Sequence, residues 1–328
     1  MKGGRMKRAA VLCLSLGLTG AAFGGSKDAG TASAVFLRDG QGARALGMGG
    51  AYTAVGRGVS AMFWNPGGLS RTSQMGVMTS YNTLIEDVKT QSVSFLCPLS
   101  KGEKGAIGVS AVMMNVGDIE KRDGTGTLLG EGKVKGGAYG LGYGFHLGRW
   151  GFGAQVKSVN EDLIAEKGKA TAVDAGVLGQ WGSVSVGLSA QNFGGKYKVG
   201  GLENDLPGVL RGGVAYHPVE TENQWLERMT VSADVEKPVD QDWKVRGGGE
   251  YVLSRMLSVR AGYEQMRDLD SSGISFGLGL WTDFKKMEKE EGDYRRNTES
   301  RVVMEVDYAY LMRDVFDDLH RVTLSLHF

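Results

Sequence analysis

One pentapeptide has the form of a catalytic motif. Gly273-Ile274-Ser275-Phe276-Gly277 matches the pattern of a nucleophile elbow, in which a serine is raised on a sharp turn between a strand and a helix. The neighbouring residues do not allow that turn. Ile274, Phe276, Leu278 and Leu280 alternate with Ser275, Gly277 and Gly279, the period of an extended strand. Ser275 is therefore read as a strand residue and the motif as chance in a glycine-rich chain. The glycines at 140–144 and 277–279 are read likewise, because no helical period follows either cluster, as a dinucleotide loop requires. The four histidines, His146, His217, His320 and His327, lack metal-ligand spacing. There is no phosphate loop. The sequence predicts no enzyme, no metal and no cofactor.

A second set of residues is ionic. Asp174, Arg228, Asp234, Glu236, Arg246, Glu250, Arg260, Glu264, Glu305 and Asp307 fall mid-segment on the polar face of alternating stretches. In a soluble sandwich that face meets water. In a membrane barrel it lines the lumen, where opposite charges on neighbouring strands pair.

The elements that carry these residues follow from composition and period. Glycine supplies 53 of 328 residues, about 16%, against roughly 7% in ordinary proteins. No Gly-X-Y repeat is present, and proline occurs only five times. Lys2, Arg5, Lys7 and Arg8 precede an uncharged run, Ala9 to Gly24, that ends Ala22-Phe23-Gly24. This is the form of a secretory signal peptide over residues 1–24, and its uncharged run of sixteen residues is too short for a membrane-spanning helix, which needs about 20. Its removal moves the net charge from +1 to −3. A near-neutral chain without a basic stripe gives no reason to expect a nucleic-acid partner. Cys13 lies within the leader, so Cys97 is the one cysteine of the mature chain and no internal disulfide can form.

Period two continues to the end. Alternation predicts strands at 74–82, 88–98, 104–115, 134–147, 150–160, 170–180, 182–193, 208–217, 228–237, 243–253, 256–266, 272–284, 300–311 and 319–328, with connections covering 116–133, 161–169 and 194–207 among the long ones. Trp150, Trp181, Trp225, Trp243 and Trp281 fall near strand ends, in the manner of an aromatic girdle. Val322, Leu324, Leu326 and Phe328 give the last strand an apolar face and an aromatic terminus, the form read by the outer-membrane barrel assembly machinery. The predicted fold is all-β: one up-and-down antiparallel transmembrane β-barrel of about 14 strands over residues 74–328, integral to a bacterial outer membrane and its lipid.

Residues 25–73 do not alternate. They are rich in small residues and form a candidate plug or hatch, with Ser60 as a candidate N-cap for a short helical turn stopping before Pro66. Here Phe36-Leu37-Arg38, Gly42 through Tyr52, and Phe63-Trp64-Asn65-Pro66 resemble the N-terminal signature of the PorV/PorQ family of outer-membrane proteins, akin to the FadL long-chain fatty acid transporters. The similarity continues through Ser189-Ala190-Gln191-Asn192-Phe193-Gly194, Ser232 through Pro238, Val259 through Glu264, Val306 through Tyr310 and Leu319 through Leu324. The resemblance implies a fourteen-stranded barrel with an N-terminal hatch around Phe63, Trp64, Asn65 and Pro66. Gly67 stands where FadL relatives have alanine, and Arg57-Gly58 where members often carry acidic residues. Two functions follow from it. One is passage of hydrophobic small molecules across the outer membrane, which predicts an apolar, roughly continuous pocket. The other is a PorV-like barrel that binds secreted cargo proteins in type IX secretion, with the 116–133 and 194–207 connections as contacts. A closed structural barrel, salt-bridged inside, is the third reading.

Overall fold

The computed structural model describes residues 30–83, 88–164, 166–218, 228–254, 256–266, 271–288, 298–313 and 318–328. The signal segment 1–24 and Trp225 lie outside the described residues.

Fourteen antiparallel strands close into a barrel. They are β1 (Gly76–Thr83), β2 (Lys89–Pro98), β3 (Ala106–Arg122), β4 (Leu128–Leu147), β5 (Trp150–Leu163), β6 (Glu166–Trp181) and β7 (Val184–Gly194), then β10 (Val209–Tyr216), β11 (Met229–Pro238), β12 (Lys244–Val252), β13 (Leu257–Met266), β14 (Ser271–Glu288), β15 (Thr298–Arg313) and β16 (Leu319–His327). Each pairs with its sequence neighbour, and β1 pairs with β16 to complete the ring. A small hairpin, β8 (Tyr197–Val199) and β9 (Leu202–Asn204), sits in the β7–β10 connection.

The two faces reverse the polarity of a soluble protein. Leu141, Leu188, Leu278 and Leu280 are more than half exposed on the outside. Serines, threonines, amides and charged groups are buried inside. An outer wall of this kind is stable only against a membrane. Cys97 shares the outward parity of Val93 and Phe95 on β2.

Three expectations need correction. The expected long connection 161–169 is mostly strand, since β5 runs to Leu163 and β6 starts at Glu166. Residues 116–133 are mostly strand: β3 and β4 run on as a ribbon, with a register shift between Val116 and Ile119, and turn at 123–127. Such a ribbon has solvent on both sides, so its side chains lose the apolar–polar alternation from which strands are read. Trp281 does not join a girdle. Leu280 faces out, so parity turns Trp281 inward, where it lines a cavity. Trp150 and Trp181 do stand exposed at the rim, edge to face at 4.9 Å, at the end holding the chain terminus.

Candidate functional site: the plug and the charged wall

Residues 30–73 occupy the interior. Helix α1 (Ala43–Gly47), a 3-10 turn Gly58–Ser60, helix α2 (Ala61–Trp64) and a 3-10 turn Pro66–Arg71 succeed one another. The breaks are local. Asn65 precedes a proline, which disfavours helical backbone, and it is extended at φ −155°, ψ 103°. α2 therefore ends at Trp64, and Pro66 opens the next turn, where its missing N–H is not needed. Ser60 does not cap α2; its Oγ donates to the Arg57 carbonyl at 2.9 Å.

Asn65 is completely buried and joins three segments. Its Oδ1 accepts from Gly67 N–H at 3.0 Å, and its Nδ2 donates to the Thr53 carbonyl at 2.9 Å and the Val177 carbonyl of β6 at 3.0 Å. Trp64 beside it donates from Nε1 to the Gln41 carbonyl, meets Tyr52 edge to face, and lies under the Arg211 guanidinium at 5.5 Å. Phe63 packs half-buried next to the Met62 and Trp64 clusters. Asn65→Ala strands the Gly67 N–H and the Thr53 carbonyl in the interior, which costs about 2–3 kcal/mol. The expected result is a folded barrel whose plug is cut by added protease at concentrations that leave the wild type intact.

The wall meets the plug through glycines. A Cβ on Gly262 would lie 2.0 Å from Gly49 N, and one on Gly248 2.1 Å from the Met48 carbonyl oxygen. One on Gly153 would lie 2.0 Å from the Pro66 oxygen, and one on Gly187 2.3 Å from the Thr53 oxygen. Backbone therefore rests on backbone around much of the circumference, and the plug leaves no room for side chains there. Polar anchors complete the seat. Ser275 Oγ accepts from Gly49 N–H at 3.0 Å and donates to the Gly47 carbonyl, Thr323 Oγ1 accepts from Ala43 N–H, and Ser232 Oγ donates to the Ala51 carbonyl. Ser275 thus holds α1 in the middle of β14. The pentapeptide is strand throughout, not the strand–turn–helix of an elbow.

The interior charges gather into clusters. Glu236 is the centre of one, with Arg211 Nε at 2.6 Å, Arg246 in direct contact and Lys244 at 3.9 Å. Arg246 reaches on to Glu264 at 3.6 Å, which Arg313 also approaches at 3.9 Å. Arg260 is the centre of a second, with Glu250 at 2.6 Å, Glu305 at 3.2 Å and Asp307 in direct contact. The plug enters this cluster through Arg44, whose guanidinium donates twice to Glu250, at 2.6 and 2.8 Å. Asp174 pairs with Lys157 at 2.8 Å and accepts from Asn192 N–H. Asp234 binds plug backbone, accepting from Tyr52 N–H at 2.9 Å and Thr53 N–H at 2.8 Å. Arg228 departs from the set. It precedes β11 rather than lying within it, is exposed, and donates to the Leu253 carbonyl at the rim.

Arg44, Lys157 and Arg211 complete these clusters, yet the mid-strand acid pattern does not reveal them. Arg211 has a usable signal: it stands opposite Glu236 in the β10–β11 register. Arg44 has none, because the plug has no period.

Towards the end opposite the chain terminus, Phe36, Ala138, Val159, Ala172, Tyr197 and Leu206 pack into an apolar cluster. Towards the end that holds the chain terminus, a cavity of about 1050 Å³ lies between plug and wall, bordered by Arg44, Tyr52, Arg57, His217, Glu250, Trp281, Glu305 and His327. Its lining is mixed, with Val55, Val59, Met78 and Val252 beside the ionic groups, rather than the uniformly apolar pocket expected.

The chain matches no family model and no curated protein. Solved structures do resemble it. The Pseudomonas putida toluene transporter TodX superposes with a TM-score of 0.54 at 13% identity, covering 88% of this chain and 98% of TodX. A Pseudomonas aeruginosa FadL homologue gives 0.55 at 10% identity with the same coverage. The chain shares their fold. Identities this low carry the architecture and not the residues of a site. The PorV/PorQ resemblance finds no counterpart among these neighbours.

Proposed function

We propose that the chain is an integral outer-membrane barrel that passes small hydrophobic molecules, with the plug as its gate. The observation that carries this reading is the seated plug in a barrel of the fold of TodX, a toluene transporter. The exposed apolar wall supports membrane insertion, and the outward Val322, Leu324 and Phe328 suit recognition by the assembly machinery. The plug fills the narrow middle, so a solute entering from outside passes only when plug segments shift towards the cavity between plug and wall. The closed barrel is the second reading, favoured by the ion pairs that tie plug to wall; the PorV-like docking role has no such observation. The test is uptake of labelled toluene and of a long-chain fatty acid by intact cells of a host lacking such channels. Expression is expected to raise uptake several-fold without raising entry of a polar sugar. Unchanged uptake with correctly folded protein in the outer membrane would leave the closed barrel.

A further inference from the structure

The outside of the barrel carries a feature that passage does not use. Near the end opposite the chain terminus, a groove of about 570 Å³ crosses β2 to β6. Gly137 forms its floor on the outward parity of β4, with Met113 and Tyr139 beside it. Lys89, Lys135, Lys167 and Lys169 line it.

The lysines follow from register. Lys89, Asn115, Lys135, Asp162 and Lys167 form one row of consecutive cross-strand partners. Lys169 stands one row nearer the apolar wall, opposite Asn160. Strands lie about 4.8 Å apart, so Lys89 to Lys135, and Lys135 to Lys167, each span about 10 Å. The row one step further along, with Val93, Tyr139 and Thr171, leads into the belt of Phe95, Leu141, Val156 and Val173. Among the described residues, Lys89, Lys135 and Lys169 have no carboxylate in ion-pair range, and Lys167 has only Asp162 at 4.0 Å. Aligned cations above an apolar surface match an amphiphile with several phosphates and several acyl chains. The ammonium groups meet phosphate, while their stems and the aromatic wall meet the chains.

We propose that this groove binds the phosphorylated glycolipid of the outer leaflet, the lipid A portion of lipopolysaccharide. The inference rests on the outer-membrane reading, with the ribbon end outward. Separated phosphates suit the separated lysines, which a lipid with one phosphate would engage only in part.

The experiment uses the full-length barrel in detergent with bis-phosphorylated lipid A, dephosphorylated lipid A, phosphatidylglycerol or inorganic phosphate as probes, and bound probe is counted after washing. The wild type is expected to retain bis-phosphorylated lipid A. Lys89→Gln/Lys135→Gln/Lys169→Gln is expected to lose at least tenfold. Lys101→Gln/Lys104→Gln, at the opposite end, is expected to retain it unchanged. Free phosphate at millimolar concentration is expected not to compete. Equal retention by the triple variant, equal retention of dephosphorylated lipid A or phosphatidylglycerol, or full competition by free phosphate would each overturn the proposal. A gel shift on boiling shows that each variant is folded. Membrane fractionation is scored separately, so failure of the outer-membrane reading is distinguishable from failure of the groove.

Discussion

Gly262→Val is expected to abolish the compact, heat-modifiable form of the barrel on gels. The added Cβ alone would stand 2.0 Å from Gly49 N and 2.3 Å from the Met48 carbonyl carbon, both backbone atoms of the plug. Neither yields by a rotamer change. Ser275 and Ser232 hold the plug backbone on either side of this contact, so a local shift breaks those hydrogen bonds. Overpacking of a well-filled core typically costs about 1–3 kcal/mol, and a backbone collision on this scale lies at or above the top of that range. Gly124→Val is the control: it sits in the β3–β4 turn, where an added Cβ would meet nothing within 4 Å, and it is expected to leave gel mobility unchanged. Unaltered heat-modifiability of Gly262→Val would mean that the plug does not seat as described.

The second large effect belongs to Arg260. Its side chain is fully buried and serves Glu250, Glu305 and Asp307 together. The guanidinium reaches across β14 because that strand offers no side chain at Gly277 and Gly279, where a Cβ would come within 3.2 Å of Arg260 Cβ and 2.7 Å of its Nη1. Arg260→Met leaves three carboxylates around one plug arginine, Arg44. Removing one member of a buried ion cluster costs about 3–5 kcal/mol, whereas replacing the whole cluster with neutral groups is often close to neutral. Urea unfolding of the reconstituted barrel is therefore expected to show a large loss for Arg260→Met. Most of it should return when Glu250→Gln and Asp307→Asn are added. A loss that the extra substitutions deepen would contradict the cluster.

The same residues show what is legible in the sequence. Strand number, order and the inside–outside sense follow from period two, which a membrane wall enforces because each strand divides lipid from lumen. Outside the wall that enforcement ends. The β3–β4 ribbon therefore has the sequence pattern of a connection, although it is hydrogen-bonded through Arg122 and Leu128. The acids at 236, 250, 264, 305 and 307 can be placed on one face by parity, but not sorted into clusters without the register. Ser275 shows the limit best. Its alternating neighbours exclude a catalytic turn, yet its role in holding Gly47 and Gly49 depends on a segment 226 residues away from it at Gly49. Gly277, in the same motif, makes room for Arg260, a reason that no local pattern carries.

The most direct test of the account is to lock the gate. A Cβ on Gly213 of β10 would stand 3.1 Å from that of Thr53 in the plug, close to the roughly 3.5–4.5 Å of a disulfide, but also 2.1 Å from Asp234 Oδ1. Thr53→Cys/Gly213→Cys, with Asp234→Ala to clear that carboxylate and Cys97→Ser to remove the native thiol, joins plug to wall when oxidised, and the reduced form of the same variant is the reference. Toluene uptake by cells expressing this variant is expected to fall to the level of cells without the protein, and to recover on reduction. Uptake that is equal in the oxidised, demonstrably cross-linked and reduced forms would contradict a plug that must move.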